Sequence, residues 1–206
     1  LAVSVIRLAQ RKTLVHELSC IETLARVDVL CVDKTGTITE ADMDVDGVIP
    51  LAPEEYGDEK IAEILCAFYQ NQEADNSTGK AMKARFTGTT YWKAVKSVPF
   101  TSATKWSAVD FGAQGAYLVG APELILKADY EPLREQVEQL SSQGNRVLLL
   151  AQYDGELREE LPGVVIPSAL VLIRNKIRRN APATFRFFAE QGVTIKVISG
   201  DNPVTV

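Results

Sequence analysis

The chain has 206 residues, of which 46% are hydrophobic and 24% are charged, with a formal net charge of -5 at pH 7. These proportions are typical of a globular protein with material for one large domain or two small ones. The acidic balance and the lack of a basic run argue against a nucleic-acid-binding surface. Three scattered cysteines without a CxxC pattern predict reduced thiols rather than disulfides or zinc, and a single histidine excludes multi-histidine metal sites.

The first third of the chain changes from a helical pattern to a strand and then to a loop-like composition. Apolar spacing over residues 1–26 predicts helix. The β-branched run over residues 27–32 predicts a buried strand that ends at Asp33. Residues 42–56 are rich in acidic residues, Pro and Gly, which predicts extended segments and loop. No apolar run approaches the roughly 18 residues expected of a membrane-spanning helix.

The middle of the chain alternates helices with short strands. Helical spacing predicts helices over residues 59–69, 76–86 and 131–143. Alternating or apolar runs predict strands over residues 95–100, 106–111, 116–119, 147–153 and 164–173. Short strands separated by Gly, Ser and Thr are typical of an antiparallel sheet.

The last residues return to helix and strand, with a helix predicted over 181–191 and a strand over 193–198. The predicted architecture is an α/β domain interrupted by an inserted α+β domain with an antiparallel sheet. The expected boundaries place the first part of the α/β domain at residues 1–40, the insertion at 41–170 and the second part at 171–206. The strands that end near Asp33 and Ser199 are expected to be parallel neighbours.

A carboxylate followed by hydroxyl and glycine residues closes the first predicted strand. The residues read Asp33-Lys34-Thr35-Gly36-Thr37-Ile38-Thr39. Open α/β sheets build their ligand crevices at the carboxyl ends of strands, so Asp33 is expected in such a crevice. The hydroxyls, the Gly36 backbone and Lys34 suit a phosphoryl group, which predicts that Asp33 is a nucleophile that becomes an aspartyl phosphate. Taken alone, a strand ending in Asp more often marks a simple chain reversal.

This seven-residue string closely resembles the phosphorylation motif of the P-type ATPases, the ion pumps that phosphorylate themselves on an aspartate. The resemblance implies a haloacid-dehalogenase-like, Rossmann-type phosphorylation domain interrupted by a nucleotide-binding domain. It also implies Mg²⁺ held by the Asp33 carboxylate and the Thr35 backbone carbonyl. A second loop reads Ser-Gly-Asp where these pumps usually have Thr-Gly-Asp. The implied catalytic residues are Asp33, Lys34, Thr35, Ser199, Gly200 and Asp201.

Thr35 distinguishes a pump from a phosphatase within the wider haloacid-dehalogenase-like group. The phosphatases typically carry a second Asp two residues after the nucleophile, which serves as general acid and then as the base that activates water. Thr cannot shuttle a proton in this way, so the acyl phosphate is expected to persist. The first alternative function is a stand-alone phosphatase with a large cap, and Thr35 argues against it.

The inserted region carries segments similar to the ATP pocket of these pumps. An aromatic face over adenine, a nearby cation and a backbone that approaches the ligand closely are reasonable partners for ATP. The implied nucleotide contacts are Phe100, Lys105, Gly120, Ala121, Arg146 and Arg178. Two positions depart from the pattern of these pumps. Val119 stands where Lys is common, and Asn175 stands where the pumps have Asp in a hinge element near the second α/β part.

The resemblance covers essentially the whole chain and implies an ATP-binding piece of a cation-transporting pump. Since the chain begins at Leu1 in mid-pattern, it is expected to be an excised piece of a longer protein. The resemblance implies a multi-pass membrane parent in which this region is cytoplasmic, and the piece itself is expected to be soluble and monomeric. Its expected partners are ATP and the transmembrane and actuator domains of the same parent chain. The piece is predicted to bind ATP without being a competent ATPase, and a non-enzymatic nucleotide-binding module is the second alternative.

Overall fold

The computed structural model describes residues 2–17, 19–73 and 75–199, which form two compact units. Unit 1 contains segments 2–38 and 177–199, and unit 2 contains residues 39–176. The helices are α1 (Ala2–Gln10), α2 (Ser19–Leu24), α3 (Asp58–Gln70), α4 (Ser77–Arg85), α5 (Pro122–Leu126), α6 (Glu131–Ser142) and α7 (Ala181–Glu190). The strands are β1 (Val29–Asp33), β2 (Thr39–Pro50), β3 (Lys96–Val98), β4 (Trp106–Asp110), β5 (Ala116–Gly120), β6 (Arg146–Asp154), β7 (Val164–Ile177) and β8 (Thr194–Ile198).

The helical structure predicted over residues 1–26 is interrupted, because α1 ends at Gln10 and α2 begins only at Ser19. Lys12 has a left-handed φ of 60°. The Thr13 N–H donates to the Leu8 carbonyl and the Lys12 N–H to the Ala9 carbonyl, each at 2.9 Å. These two bonds form a Schellman motif, whose left-handed residue is usually glycine. Lys12 therefore gave no sequence signal for the end of the helix.

Unit 1 is built around a parallel pair of strands, β1 and β8, in which Asp33 lies opposite Ile198. This confirms the predicted parallel pairing. Ala181 is the one buried residue among those described in unit 1, and 62% of the Ile198 surface is exposed. This unit therefore has little core of its own, and a two-stranded sheet without a packed face is marginally stable.

Unit 2 is a six-stranded sheet in the order β2-β7-β6-β5-β4-β3, and each pairing from β3 to β7 is antiparallel. Helices α3 and α4 pack on one face, and α5 and α6 pack on the other. Both faces of β6 are covered: Leu148 and Leu150 join the first core, whereas Leu149 and Ala151 join the second. Its nearly continuous apolar sequence follows from this double burial. The predicted fold class, an α/β unit interrupted by an antiparallel α+β unit, is confirmed.

Strand β2 replaces much of the extended segments and loop predicted over residues 42–56. It lies at the edge of the sheet, and its exposed acidic residues alternate with residues that pack inward, such as Met43 and Val45. The acidic residues are Glu40, Asp42, Asp44 and Asp46. Asp44 forms an ion pair with Lys176 on β7. Charges along an edge strand hinder pairing with another chain, which explains a composition that resembles a loop.

Within the described ranges, none of the helices has the length and apolar character needed to cross a bilayer.

Candidate functional site

A type II turn follows Asp33 and shapes the predicted phosphorylation loop. Thr35 has φ and ψ of -77° and 122°, and Gly36 has 79° and -13°. These values match the two central residues of a type II turn, whose second position requires a positive φ and therefore favours glycine. A methyl group at Gly36 would meet no atom within 4 Å, so the glycine is needed for its backbone angles rather than for space.

Arg178 holds the far side of this turn with both its backbone and its side chain. Its guanidinium Nη2 donates to the Gly36 carbonyl oxygen at 2.7 Å. Its backbone N–H donates to the Ile38 carbonyl at 3.0 Å, and its own carbonyl accepts from Ala181 N–H, also at 3.0 Å, at the start of α7. The turn is therefore fixed at one end by the β1–β8 ladder and at the other by Arg178.

Unit 1 brings together three of the predicted catalytic positions, Asp33, Lys34 and Thr35, on the loop at the carboxyl end of β1. Asp33 and Thr35 are exposed and Lys34 is half-buried. Ser199 directly follows β8, one residue beyond the partner of Asp33 in the parallel register. The other two predicted residues, Gly200 and Asp201, lie outside the described residues.

The oxygen donors on this loop fit the chemistry of a magnesium ion. Mg²⁺ prefers oxygen ligands, and it is commonly held by one or two carboxylates together with substrate phosphates rather than by a full protein cage. Asp33 offers an exposed carboxylate, and Thr35 offers a backbone carbonyl at the centre of the turn. Among the described residues, no group of three or more His, Cys, Asp or Glu side chains forms a metal cage. The donors are therefore suited to magnesium bound together with a phosphate.

Five of the predicted nucleotide contacts lie at one end of the sheet in unit 2. Strand β5 ends where β4 and β6 begin, because both neighbours run antiparallel to it. Strand β3 also ends on that side, shortly before Phe100, whose surface is 47% exposed. The residues at this end are Phe100, Lys105, Gly120, Ala121 and Arg146.

Lys105, Gly120 and Ala121 are in direct contact at this end of the sheet. The Ala121 N–H donates to the Lys105 carbonyl at 2.9 Å. Lys105 has a left-handed φ of 55°. A Cβ added at Gly120 would lie 2.4 Å from the Lys105 carbonyl oxygen and from the Trp106 Cα, closer than side chains tolerate. Gly120 therefore allows β4 and β5 to approach each other. The sequence predicted only that this residue would let the backbone approach a ligand.

Arg146 contacts Thr78, which is not among the predicted site residues. Its Nη1 donates to the Thr78 hydroxyl at 3.3 Å. Thr78 lies in the first turn of α4, where the Asn76 side chain accepts from the Gly79 N–H at 2.7 Å and caps the helix. The sequence predicted a helix from residue 76, whereas the contact with Arg146, 68 residues away along the chain, carried no local signal.

Both departures from the pump pattern have a structural role in unit 2. Val119 is 2% exposed and belongs to the core beneath α3 and α4. Asn175 Nδ2 donates to the backbone carbonyls of Glu40 and Asp42 in two long contacts of 3.5 Å. An Asp carboxylate has no N–H to donate there, so the amide suits this junction between β2 and β7.

A sequence model of the haloacid dehalogenase-like hydrolase family matches residues 27–206. The chain belongs to this family. Among relatives of this haloacid-dehalogenase-like chain are a probable cation-transporting ATPase, exp7, of Streptococcus pneumoniae and the calcium-transporting ATPase CtpE of Mycolicibacterium smegmatis. Each is 41% identical over 100% of the chain. The predicted resemblance to the P-type ATPases is confirmed. The chain spans 26% and 25% of the lengths of these two relatives.

Solved structures agree with this haloacid-dehalogenase-like fold. A crystal structure of a zinc-transporting PIB-type ATPase matches 98% of the chain with a TM-score of 0.66, and this match covers 30% of that protein. A second crystal structure of a zinc-transporting PIB-type ATPase, in a different state, matches 91% of the chain and 28% of its own length with a TM-score of 0.57. Both are 18% identical to the chain, so these matches concern the fold alone.

Proposed function

We propose that this chain is the ATP-binding and phosphorylation region of a cation-transporting P-type ATPase, with Asp33 as the phosphoryl acceptor. The observation that carries the proposal is the position of Asp33. It is exposed at the carboxyl end of β1, before a type II turn and beside the end of the parallel strand β8. Cation-transporting relatives that match the whole chain support the same conclusion.

In the proposed reaction an Asp33 carboxylate oxygen attacks the γ-phosphorus of ATP in line. The bond between that phosphorus and its bridging oxygen breaks, and ADP leaves. Lys34, the hydroxyl groups of the loop and Ser199 would donate to the phosphoryl oxygens. Mg²⁺, held by Asp33 and the Thr35 carbonyl, would offset the charge on the transferred group. Because Thr35 supplies no carboxylate to activate water, the aspartyl phosphate would persist long enough to drive transport.

The end of the sheet in unit 2 is the proposed ATP pocket. Phe100 offers an exposed ring for the adenine, and Lys105, at the same end of the sheet, offers an exposed cation. Gly120 and Ala121 form the adjoining backbone, and the Arg146 guanidinium is suited to a phosphate or the ribose. The proposed setting is the cytoplasmic side of a membrane, with transmembrane and actuator domains of the same parent protein as partners. Relatives named for calcium make calcium the first cation to test.

Labelling with γ-labelled ATP and Mg²⁺ tests the acceptor in the full-length protein. We expect an acid-stable, hydroxylamine-labile label that is lost when Asp33→Asn replaces the carboxylate. A label that survives this substitution would refute the assignment of Asp33. We expect no label on the 206-residue chain alone, since unit 1 buries so little surface. Stable labelling of this piece would show that it is competent by itself.

NMR titration of the 206-residue chain with ATP tests the pocket. The amide signals of Phe100, Lys105 and Gly120 should shift first. The hairpin that joins β4 to β5, around Gly112, lies at the opposite end of these strands and should not respond. If millimolar ATP moves the Gly112 signals while the predicted three stay fixed, the pocket is in the wrong place.

A further inference from the structure

The Arg178 side chain is hydrogen-bonded to the loop that follows Asp33. The sequence pattern predicted it as a nucleotide contact, yet its guanidinium donates to the Gly36 carbonyl oxygen at 2.7 Å. A hydrogen bond from a charged donor at this distance is among the stronger kinds found in proteins. Gly36 is the third residue after Asp33, and it is also the residue with the unusual φ.

The second contact of Arg178 turns this bond into a clamp. Its backbone N–H binds the Ile38 carbonyl at 3.0 Å, so the side chain and the backbone of one residue hold two carbonyls that lie two positions apart. The carbonyl of Arg178 in turn accepts from Ala181 at the first residue of α7. Helix α7 leads into β8, and β8 pairs with β1 as far as Asp33. The loop thus belongs to a closed path of bonded elements within unit 1.

The peptide geometry explains what the clamp controls. The Gly36 and Ile38 carbonyls that Arg178 binds belong to peptides that follow the central Thr35–Gly36 peptide of the turn. Holding them fixes the path of the chain where it leaves the turn. It thereby limits displacement of the loop, including the Thr35 carbonyl, relative to Asp33.

We propose that Arg178 is a positioning residue for phosphoryl transfer, which holds the loop after Asp33 in place through the Gly36 carbonyl and does not bind ATP. This inference rests on the proposed role of Asp33 as acceptor. A displacement of about 1 Å in a reacting group can slow a reaction by about 100-fold. We therefore expect loss of the guanidinium to slow phosphorylation of Asp33 by about 10- to 100-fold at saturating ATP.

Rates of phosphorylation of the full-length protein, measured against ATP concentration, test the proposal. In Arg178→Gln the maximal rate should fall while the ATP concentration for half-maximal rate stays unchanged. Equilibrium binding of ATP without Mg²⁺ should also match wild type. Arg178→Lys, which keeps a charged donor, should recover part of the rate. Arg179→Gln removes an equally charged, exposed neighbour and should behave as wild type.

A second readout does not depend on turnover. In the isotopically labelled 206-residue chain, Arg178→Gln should shift the backbone signals of Gly36 and Thr37 and speed their amide exchange, and Arg179→Gln should not. Because this measurement compares the loop with the rest of the same chain, it also reveals whether the variant is folded. Unchanged Gly36 and Thr37 signals in folded Arg178→Gln would overturn the inference.

The same experiments distinguish a wrong role for Arg178 from a wrong assignment of Asp33 as acceptor. If Arg178→Gln weakens ATP binding and its maximal rate recovers at high ATP, Arg178 is a nucleotide contact and the positioning role is wrong. If wild type carries no label, or if the label survives Asp33→Asn, the acceptor assignment fails and the positioning role fails with it.

Discussion

Replacing Gly120 by Ala should force β4 and β5 apart. The added Cβ would lie 2.4 Å from both the Lys105 carbonyl oxygen and the Trp106 Cα, about 1 Å short of the 3.4 Å at which ordinary contact begins. Both close atoms belong to the backbone of the neighbouring strand, so no flexible side chain can move aside. The strands must separate, or the end of β5 must tilt out of the sheet.

The magnitude follows from two costs. Overpacking of a well-packed site costs about 1–3 kcal/mol. The bond from the Ala121 N–H to the Lys105 carbonyl, 2.9 Å long, would be stretched beyond hydrogen-bonding range, which costs about 1 kcal/mol more. We expect Gly120→Ala to lower the free energy of unfolding of unit 2 by about 2–4 kcal/mol.

Urea unfolding followed by tryptophan fluorescence measures this loss, since both tryptophans lie in unit 2 and Trp106 is 3% exposed. Gly47→Ala is the matched control. It lies in β2 of the same sheet, and its added Cβ would make only an ordinary contact of 3.8 Å with Leu172. This control should be neutral or stabilising by up to about 1 kcal/mol.

Two results would refute the reasoning about Gly120. If Gly120→Ala is as stable as the Gly47→Ala control, the close approach of β4 and β5 is not enforced in solution. If the substitution leaves stability unchanged but abolishes ATP binding, the glycine serves the ligand rather than the sheet. A loss of ATP affinity that accompanies the expected loss of stability agrees with the packing role, since the pocket depends on the same strand ends.

Further outcomes concern unit 2 and the difference between the units. Burial first, and then the nearby Tyr56 and glutamates, raises the pKa of Tyr117 from 10.0 to about 12. The neutral phenol is favoured in the folded state, so its stabilisation is complete below pH 10 and is lost as the pH rises towards 12. Urea midpoints should fall over that window, less steeply in Tyr117→Phe, and the exposed Tyr91→Phe control should keep the wild-type slope. Asn76→Ala removes the cap that binds the Gly79 N–H, and it should cost about 1 kcal/mol by thermal unfolding. Amide exchange should be much faster in β1 and β8 than in β5 and β6, because the described part of unit 1 buries only Ala181.

A specific result would contradict each of these three predictions. An equal pH slope in Tyr117→Phe and wild type would show that another group governs alkaline unfolding. Full stability of Asn76→Ala would mean that the first turn of α4 is held by its tertiary contacts alone. Equal protection in the two units would show that unit 1 is stabilised by something other than buried apolar surface.

Local pattern was enough to predict most elements of unit 2. The helix α3 has apolar residues on one face and β6 is an apolar run bounded by turn residues, so both were predicted within a residue or two. Strand β2 was underestimated because its solvent face is acidic, and edge strands resemble loops in composition. The short helix α5 was not predicted, since five residues carry too little periodic signal.

The candidate site also has features that the sequence predicts and features that only the structure reveals. The sequence by itself identified the family, and it predicted the acceptor motif and the proposed role of Thr35, because these depend on residue types in a fixed local order. Tertiary structure alone decided that Arg178 binds Gly36, 142 positions away, and that Arg146 binds Thr78. It also decided that Gly120 is required by a neighbouring strand. Such contacts join residues that are distant along the chain, so they arise from the packing of strands and leave no periodic trace in the sequence.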